Sequence, residues 1–461
     1  MFSPIGIALR AMRGAIAMAA RSGLVGAVAL LILALAPAGQ GRAQAPADNA
    51  VHLGVASCSG GNCHGATQRS KGSYVPQNEY LIWSKRDKHR LAYRVLSEPR
   101  SRRIARNLGI ADPTTAPLCL NCHADNVPPN RRGPQFQIAD GVGCEACHGG
   151  ASTWLGVHIA GGTHQQNLAA GLYPTKNPAT RAEKCLSCHF GNPADPQRFV
   201  THQIMGAGHP RMGFELDTYT LAEPAHFVVD KTYVQRKGPV SDARVWAVGQ
   251  AVSLLVRNRA LLTPTLAPRG LFPELVLFDC QACHHAFDWQ RSEPPAVTGL
   301  PTGWPPLDDS NGVMLRLVAA RVAPASAPAL GRDVFALRRA TTQGWPVVTR
   351  QAGQLRQVAD GMLPLVENHA FTPEDIKVLA TAVIALSLSP RGSEFSVAEQ
   401  ATMALASLES ALKMSGSLNP RQEAAMNKAL AGLYGAFASE EEAYRRASFV
   451  KALQELRTAA R

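Results

Sequence analysis

No cysteine in this chain is left over. All ten fall into five close pairs, which leaves none free to cross-link distant segments as a disulfide framework would. Beyond residue 45 no apolar run is long enough to span a bilayer. Acid is scarce as well: 34 Asp and Glu stand against 47 Lys and Arg, a formal charge of +13. The first 45 residues hold four arginines and no acid, and without them the charge is +9. Residues 307–461 lack cysteine altogether and have one histidine, His369. Whatever the cysteine pairs do is therefore confined to the first two thirds of the chain.

Each pair is followed at once by histidine. The runs are Cys58-Ser-Gly-Gly-Asn-Cys63-His64, Cys119-Leu-Asn-Cys122-His123, Cys144-Glu-Ala-Cys147-His148, Cys185-Leu-Ser-Cys188-His189 and Cys280-Gln-Ala-Cys283-His284. C-x-x-C-H is the attachment signature of c-type haem: two thiols bond the vinyl groups and the histidine ligates iron. On a helical turn positions i, i+3 and i+4 share one face, so all three can address one porphyrin. Zinc ribbons also pair cysteines but do not need a histidine after every second one. A thioredoxin-like dithiol would be a single motif. Five covalently bound haems are expected, with His64, His123, His148, His189 and His284 as proximal ligands. The first run is expanded to C-x4-C-H; its cysteines would lie about 140° apart on a regular helix. Gly60-Gly61 is expected to let the two extra residues bulge.

The first 45 residues read as a secretory signal. Arg10, Arg13 and Arg21 precede an apolar core from Leu24 to Ala36, and cleavage fits after Ala43 or Ala45. That core is short for a spanning helix, so a membrane anchor follows only if the segment is left uncleaved. A soluble, periplasmic protein is expected, on the side of the membrane where haem is attached. Ionised propionates would offset about one charge per ferric haem. The remaining excess and the compartment both argue against nucleic acid as a partner. Basic residues concentrate between Lys85 and Arg106, against only Asp87 and Glu98. That run reads as a solvated helix face, a partner for haem propionates, or a docking site for an acidic redox protein or an anion.

The expected fold is mainly α. A pentahaem domain at 46–292 wraps short helices and irregular backbone around the porphyrins. Helices are expected at Asn78–Leu96, Pro99–Leu108 and Ala243–Leu262, with little sheet. The Pro/Gly-rich run 293–306 reads as a linker. Residues 307–461 form a haem-free, bundle-like helical domain of illegible function, with helical periodicity in Gly312–Val322, Val347–Glu367, Pro373–Leu388, Ser396–Met414, Pro420–Ala438 and Glu440–Thr458. Thr372-Pro-Glu-Asp375 and Ser396-Val-Ala-Glu399 look like helix starts.

Nine histidines lie outside the motifs. Low-spin electron-transfer haems take a second axial histidine, and an iron without one is open to small molecules. His209, in Gly206-Ala-Gly-His-Pro-Arg211, is a candidate because glycine permits close approach and proline fixes the chain. His158 follows His148 across a Gly-Gly turn, and His89 sits on the expected Asn78–Leu96 helix. His202 and His226 flank His209, and His52 precedes the first motif. His164, His285 and His369 read as bland. With more spare histidines than haems, counting does not show whether an iron is open.

The strings Gly54-Val-Ala-Ser-Cys with Cys63-His64-Gly-Ala, Cys144-Glu-Ala-Cys147-His148-Gly, and Gly208-His-Pro-Arg-Met-Gly-Phe-Glu215 resemble the multihaem cytochrome c554 family over about residues 50–290. The last block is the most specific. The resemblance implies a periplasmic, mainly helical electron carrier with mostly bis-histidine haems and one five-coordinate iron, sharing its haem packing with hydroxylamine oxidoreductase and the pentahaem nitrite reductases. Five motifs instead of four, an expanded first motif and an added C-terminal domain depart from that pattern. The lysine that replaces a motif histidine at the catalytic haem of pentahaem nitrite reductases is absent here. Two functions follow as expectations. The first is an exported carrier relaying single electrons between redox protein partners. The alternative is an oxidoreductase acting on a small nitrogen or sulfur compound such as hydroxylamine, nitrite or sulfite at one open iron. The expanded first motif is the expected place for such an iron, and Arg211 beside His209 could attract an oxyanion.

Overall fold

Helix is the only regular structure among the described residues of the computed structural model, which are 49–461 without 71–74, 269–271, 286–298, 302, 438–443 and 460–461. The expected signal segment at 1–45 lies outside them, as does part of the expected linker at 293–306. No strand occurs among the described residues, only isolated bridges such as His52 to Arg132 and Phe278 to Leu307. No described helix is long and apolar enough to cross a membrane.

Up to residue 240 the helices are short: α1 Glu79–Arg86, α2 Pro99–Asn107, α3 Pro117–His123, α4 Cys144–His148, α5 Leu155–Ile159, α6 His164–Ala169, α7 Pro178–His189, α8 His202–Gly206, α9 Leu216–Ala222 and α10 Lys231–Lys237. Longer ones follow: α11 Asp242–Leu262, α12 Ser310–Val322, α13 Ala327–Ala340, α14 Trp345–Asn368, α15 Pro373–Ser387, α16 Phe395–Met414, α17 Pro420–Gly435 and α18 Arg446–Ala459.

Helix α11 organises the second group. Ser241 caps it, and it is apolar on every side, so it must be covered on every side. Helices α7 and α9, which precede it in sequence, pack on it together with α12, α14 and α16. One apolar core therefore runs unbroken from Ala179 to Leu456. The composition break near residue 307 is not a break in packing. Residues Asn49–Arg461 form one compact unit.

An ionic network around the fully buried Arg338 supports this core. The Arg338 guanidinium donates to both carboxylate oxygens of Glu394 at 2.8 and 3.0 Å, and Asp309 lies 3.5 Å away. Around the first three motifs apolar packing is sparse. Among the described residues the separate cluster of buried apolar side chains there is Leu96, Leu120 and Ala124. Polar struts take its place. Glu145, buried inside the third motif, accepts the backbone N–H groups of Leu53, Gly54 and Ala151 at 2.7–2.8 Å.

Several expectations need correction. The helix expected over Asn78–Leu96 stops at Arg86. Asp87 is extended, and its carboxylate accepts the His89 backbone N–H at 2.9 Å, so single 3-10 turns replace the helix. Such local side-chain bonds compete with helix continuation. Thr372 and Asp375 do form a capping box, but Ser396 lies inside α16, whose N-cap is Glu394. Ser396 instead donates its hydroxyl and its backbone N–H to Asp279. Helix α13 was not anticipated from the sequence, although Leu330, Val334 and Leu337 recur on one face behind Pro328 at its start.

Candidate functional site

Three of the five Cys-Cys-His runs close an α-helix. The runs at 119–123 and 185–189 form the last turns of α3 and α7, and the run at 144–148 is α4 itself. Each helix ends on its histidine, which puts both sulfurs and the ring on adjacent positions of one turn. The fifth run opens on a 3-10 turn, Cys280–Ala282, closed by the Cys283 N–H on the Cys280 carbonyl at 3.2 Å, and the His284 N–H donates to the same carbonyl at 2.8 Å.

The expanded first run is a turn and not a helix. The Cys63 N–H donates to the Gly60 carbonyl, and the His64 N–H to the Cys58 carbonyl. Neither Gly60 nor Gly61 adopts a left-handed backbone, and a Cβ on Gly61 would meet nothing. The expectation that these two glycines enable the bulge is thus corrected. The demanding position is Gly65, where a Cβ would lie 1.9 Å from the Ser59 carbonyl oxygen.

The structure brings four of the nine spare histidines to motif histidines. His158 faces His64 with ring centroids 5.9 Å apart, and His209 faces His123 at 6.3 Å. His89 faces His189 at 6.2 Å, and His202 faces His284 at 6.1 Å. Two imidazoles on opposite sides of one metal, each bonded at about 2.0–2.1 Å with a further ~1 Å from nitrogen to ring centre, would stand about 6 Å apart. The spacing fits an iron between each pair.

Their hydrogen bonds fit as well. The Nδ1 of His123 donates to the Ala92 carbonyl at 2.9 Å, and that of His209 to the Pro210 carbonyl at 2.8 Å. A carbonyl only accepts, so Nδ1 carries the proton and Nε2 keeps its lone pair for a metal. His64 Nδ1 lies 2.9 Å from Glu79, and His89 Nδ1 lies 3.0 Å from Asp87. Burial pushes His148 down to about 4 and also lowers His158, His189 and His209. This holds their imidazoles neutral, the form that ligates metal.

His148 differs. No described ring faces it at such a spacing. The histidine whose charge acts on it most is His226. His226 points its Nε2 toward Asp87, 3.6 Å away, and with Glu223 these groups offer atoms within 4.8 Å of one another. His52 is not brought opposite any motif histidine. It is buried, with Nδ1 2.7 Å from Asp125, and its backbone pairs with Arg131 and Gly133. His164 opens α6, and His369 lies 3.2 Å from the capping residue Asp375.

The block 208–215 is a support for two of these sites. Arg211 pairs with Glu399 of α16. Phe214 stacks on His189 at 5.6 Å, and Glu215 caps α9 by accepting from Asp217 and Thr218. Tyr219 packs edge-on against the His189 ring. In the basic run, Arg102, Arg103 and Arg106 are exposed, while Arg100 donates to the Gly208 carbonyl at 3.0 and 3.2 Å. Sequence reasoning missed Glu79, Asp87, Phe214 and Tyr219 as neighbours of the histidines. Folding brings Glu79, Phe214 and Tyr219 to the rings, whereas Asp87 stands two residues before His89 and was the local signal that could have been read.

Motifs also approach one another. The Val55–Cys58 turn packs on α4, and α3 packs on α7, which brings the first motif beside the third and the second beside the fourth. The charge of Cys185 is felt at Cys147. The first four sites therefore run in the spatial order first, third, fourth, second.

Paired thiols and a histidine on one turn, with a second histidine at iron-spanning distance, define a c-type cytochrome. Residues 57–149, which carry the first three motifs, match the family described as cytochrome c554 and c-prime, and over this stretch the chain resembles a multihaem cytochrome of that family. It accordingly carries covalently bound c-type haem and works in electron transfer or redox chemistry. No curated protein and no solved structure matches the chain.

Proposed function

We propose that the chain is an exported pentahaem cytochrome that relays single electrons between redox protein partners. Bound c-type haem supplies the one-electron iron couple. The protein attaches it through Cys58 and Cys63, Cys119 and Cys122, Cys144 and Cys147, Cys185 and Cys188, and Cys280 and Cys283. The motif histidines would each hold an iron, and His158, His209, His89 and His202 would supply a second imidazole at the first, second, fourth and fifth sites. The observation that carries this reading is the facing of four motif rings by a second ring at 5.9–6.3 Å. A closed iron changes oxidation state without binding a substrate, which suits relay. Packing between the elements that carry neighbouring motifs supports short hops. Export rests on the segment 1–45, and the periplasm follows from it.

Intact mass of the mature protein should show five haems. Low-temperature electron paramagnetic resonance should show low-spin iron at the four faced sites. A mass short of five, or high-spin signals at several sites, would overturn the proposal.

A second reading has one specific observation in its favour. His148 is the motif histidine without a facing ring, and its neighbour His226 is drawn toward Asp87 and Glu223. A small nitrogen or sulfur compound would then be handled at the third site, and not at the expanded first one, whose ring His158 faces. Carbon monoxide binding to the reduced protein, lost when Cys144 and Cys147 are replaced by serine, supports this reading. No adduct at all sinks it.

A further inference from the structure

Four of the facing histidines differ in what their Nδ1 touches, and the difference is one of charge. At the second site both rings lean on neutral backbone carbonyls, of Ala92 and of Pro210. At the first site His64 meets the Glu79 carboxylate, and at the fourth His89 meets the Asp87 carboxylate. We propose that Glu79 and Asp87 hold the first and fourth irons at lower potential than the second, so that an electron entering at the first site is drawn to the second. This rests on the axial pairs assigned above.

The argument has three parts. A carboxylate that accepts the Nδ1 proton makes the imidazole more basic and a stronger donor to iron, which stabilises the oxidised metal. A carbonyl does so less. Second, each carboxylate is a fixed negative charge near an iron that is more positive when oxidised, and Asp87 is only 4% exposed, so solvent screens it little. Third, a positive charge lies at the other end: Arg100 holds the Gly208 carbonyl beside His209. The first and second sites are the two ends of the run of four, so the difference lies along its length.

The ring planes supply the means to tell the sites apart. The first pair is nearly parallel, at 14°, whereas the second and fourth are nearly perpendicular, at 85° and 84°. Parallel axial rings separate the iron d orbitals they overlap, and perpendicular rings leave them nearly degenerate. The first site should thus give a rhombic low-spin signal and the other two strongly anisotropic ones.

A redox titration of the whole holoprotein followed by electron paramagnetic resonance tests the proposal. In the unaltered protein the rhombic signal should titrate at lower potential than one of the two anisotropic signals. Glu79→Gln should raise the rhombic signal alone, Asp87→Asn should raise the lower anisotropic signal, and Glu79→Asp should restore most of the first shift. If both anisotropic signals titrate below the rhombic one, or the two variants keep low-spin iron at both sites with unchanged potentials, the proposal is wrong. Haem count and spin state, read on the same samples, separate that failure from a failure of the axial assignment. Should Glu79→Gln not load haem, the order of potentials in the unaltered protein still decides.

Discussion

Residues 49–170 and residues 179–459 solve the same problem differently. The second region buries its backbone with an aliphatic core that runs through α7, α9 and α11 to α18. The first has three attachment motifs, helices of five to nine residues and one small apolar cluster. Helices that short are not stable alone in water. What orders them is a set of buried polar struts, such as Glu145 on three amides and Trp83 donating to the Val142 carbonyl, together with whatever fills the space between facing histidines. Where a porphyrin supplies the apolar surface, the chain does not need to encode it in leucine and valine.

The strongest way to break this comparison is to withhold the cofactor. Protein made without haem attachment should lose amide protection across 49–170 down to nearly unfolded levels. The segment 242–459 should keep most of its protection by hydrogen exchange. Equal loss in both regions would show that the core of the second depends on the first. Next in size is Arg338→Ala, which removes the buried cation and leaves Arg391 to pair with Glu394 and Asp309. It should cost about 3 kcal/mol in denaturant unfolding, while Arg338→Met costs clearly less.

Smaller is a pH effect in the second region. Burial, then Asp242 and Glu215, push Asp217 up to about 8. The folded protein keeps this proton after the unfolded chain, with its carboxyl near 3.8, has lost it. Stability should therefore fall as pH rises from about 4 to about 8. Asp217→Asn should flatten that slope by a few kcal/mol at most in melting curves taken across the range. The smallest effect sharpens the view of the first motif. Gly61→Ala should leave haem loading at Cys58 and Cys63 unchanged by mass, whereas Gly65→Ala should reduce it.

Legibility in the sequence followed the range of the interaction. The helices of the second region were readable because apolar periodicity is local, and Pro373, Pro420 and the capping residues mark their starts. Helix α13 was readable too, but its signal was overlooked. The break at Asp87 was not, since a single side chain bonding two residues ahead overrides a helical pattern. The role of the C-terminal helices was illegible because it lies in contacts across the chain. Ser396 reaches Asp279, Glu399 reaches Arg211 and Gln400 donates to the Phe214 carbonyl. Those three bonds place α16 against the fifth motif and against the loop that carries His209.

What the sequence by itself determined is the chemistry of attachment. Two thiols and an imidazole must reach one porphyrin, covalent geometry allows few spacings, and five such spacings are written in consecutive residues. Which histidine stands opposite which was decided only by the tertiary structure. His64 meets His158 and His189 meets His89 across long stretches of chain, and nothing local selects one imidazole over another. The same holds for the acceptor behind each ring, a carbonyl at His123 and a carboxylate at His64. A ligand set is a matter of residue type, whereas its partners and its surrounding charge are a matter of position in space.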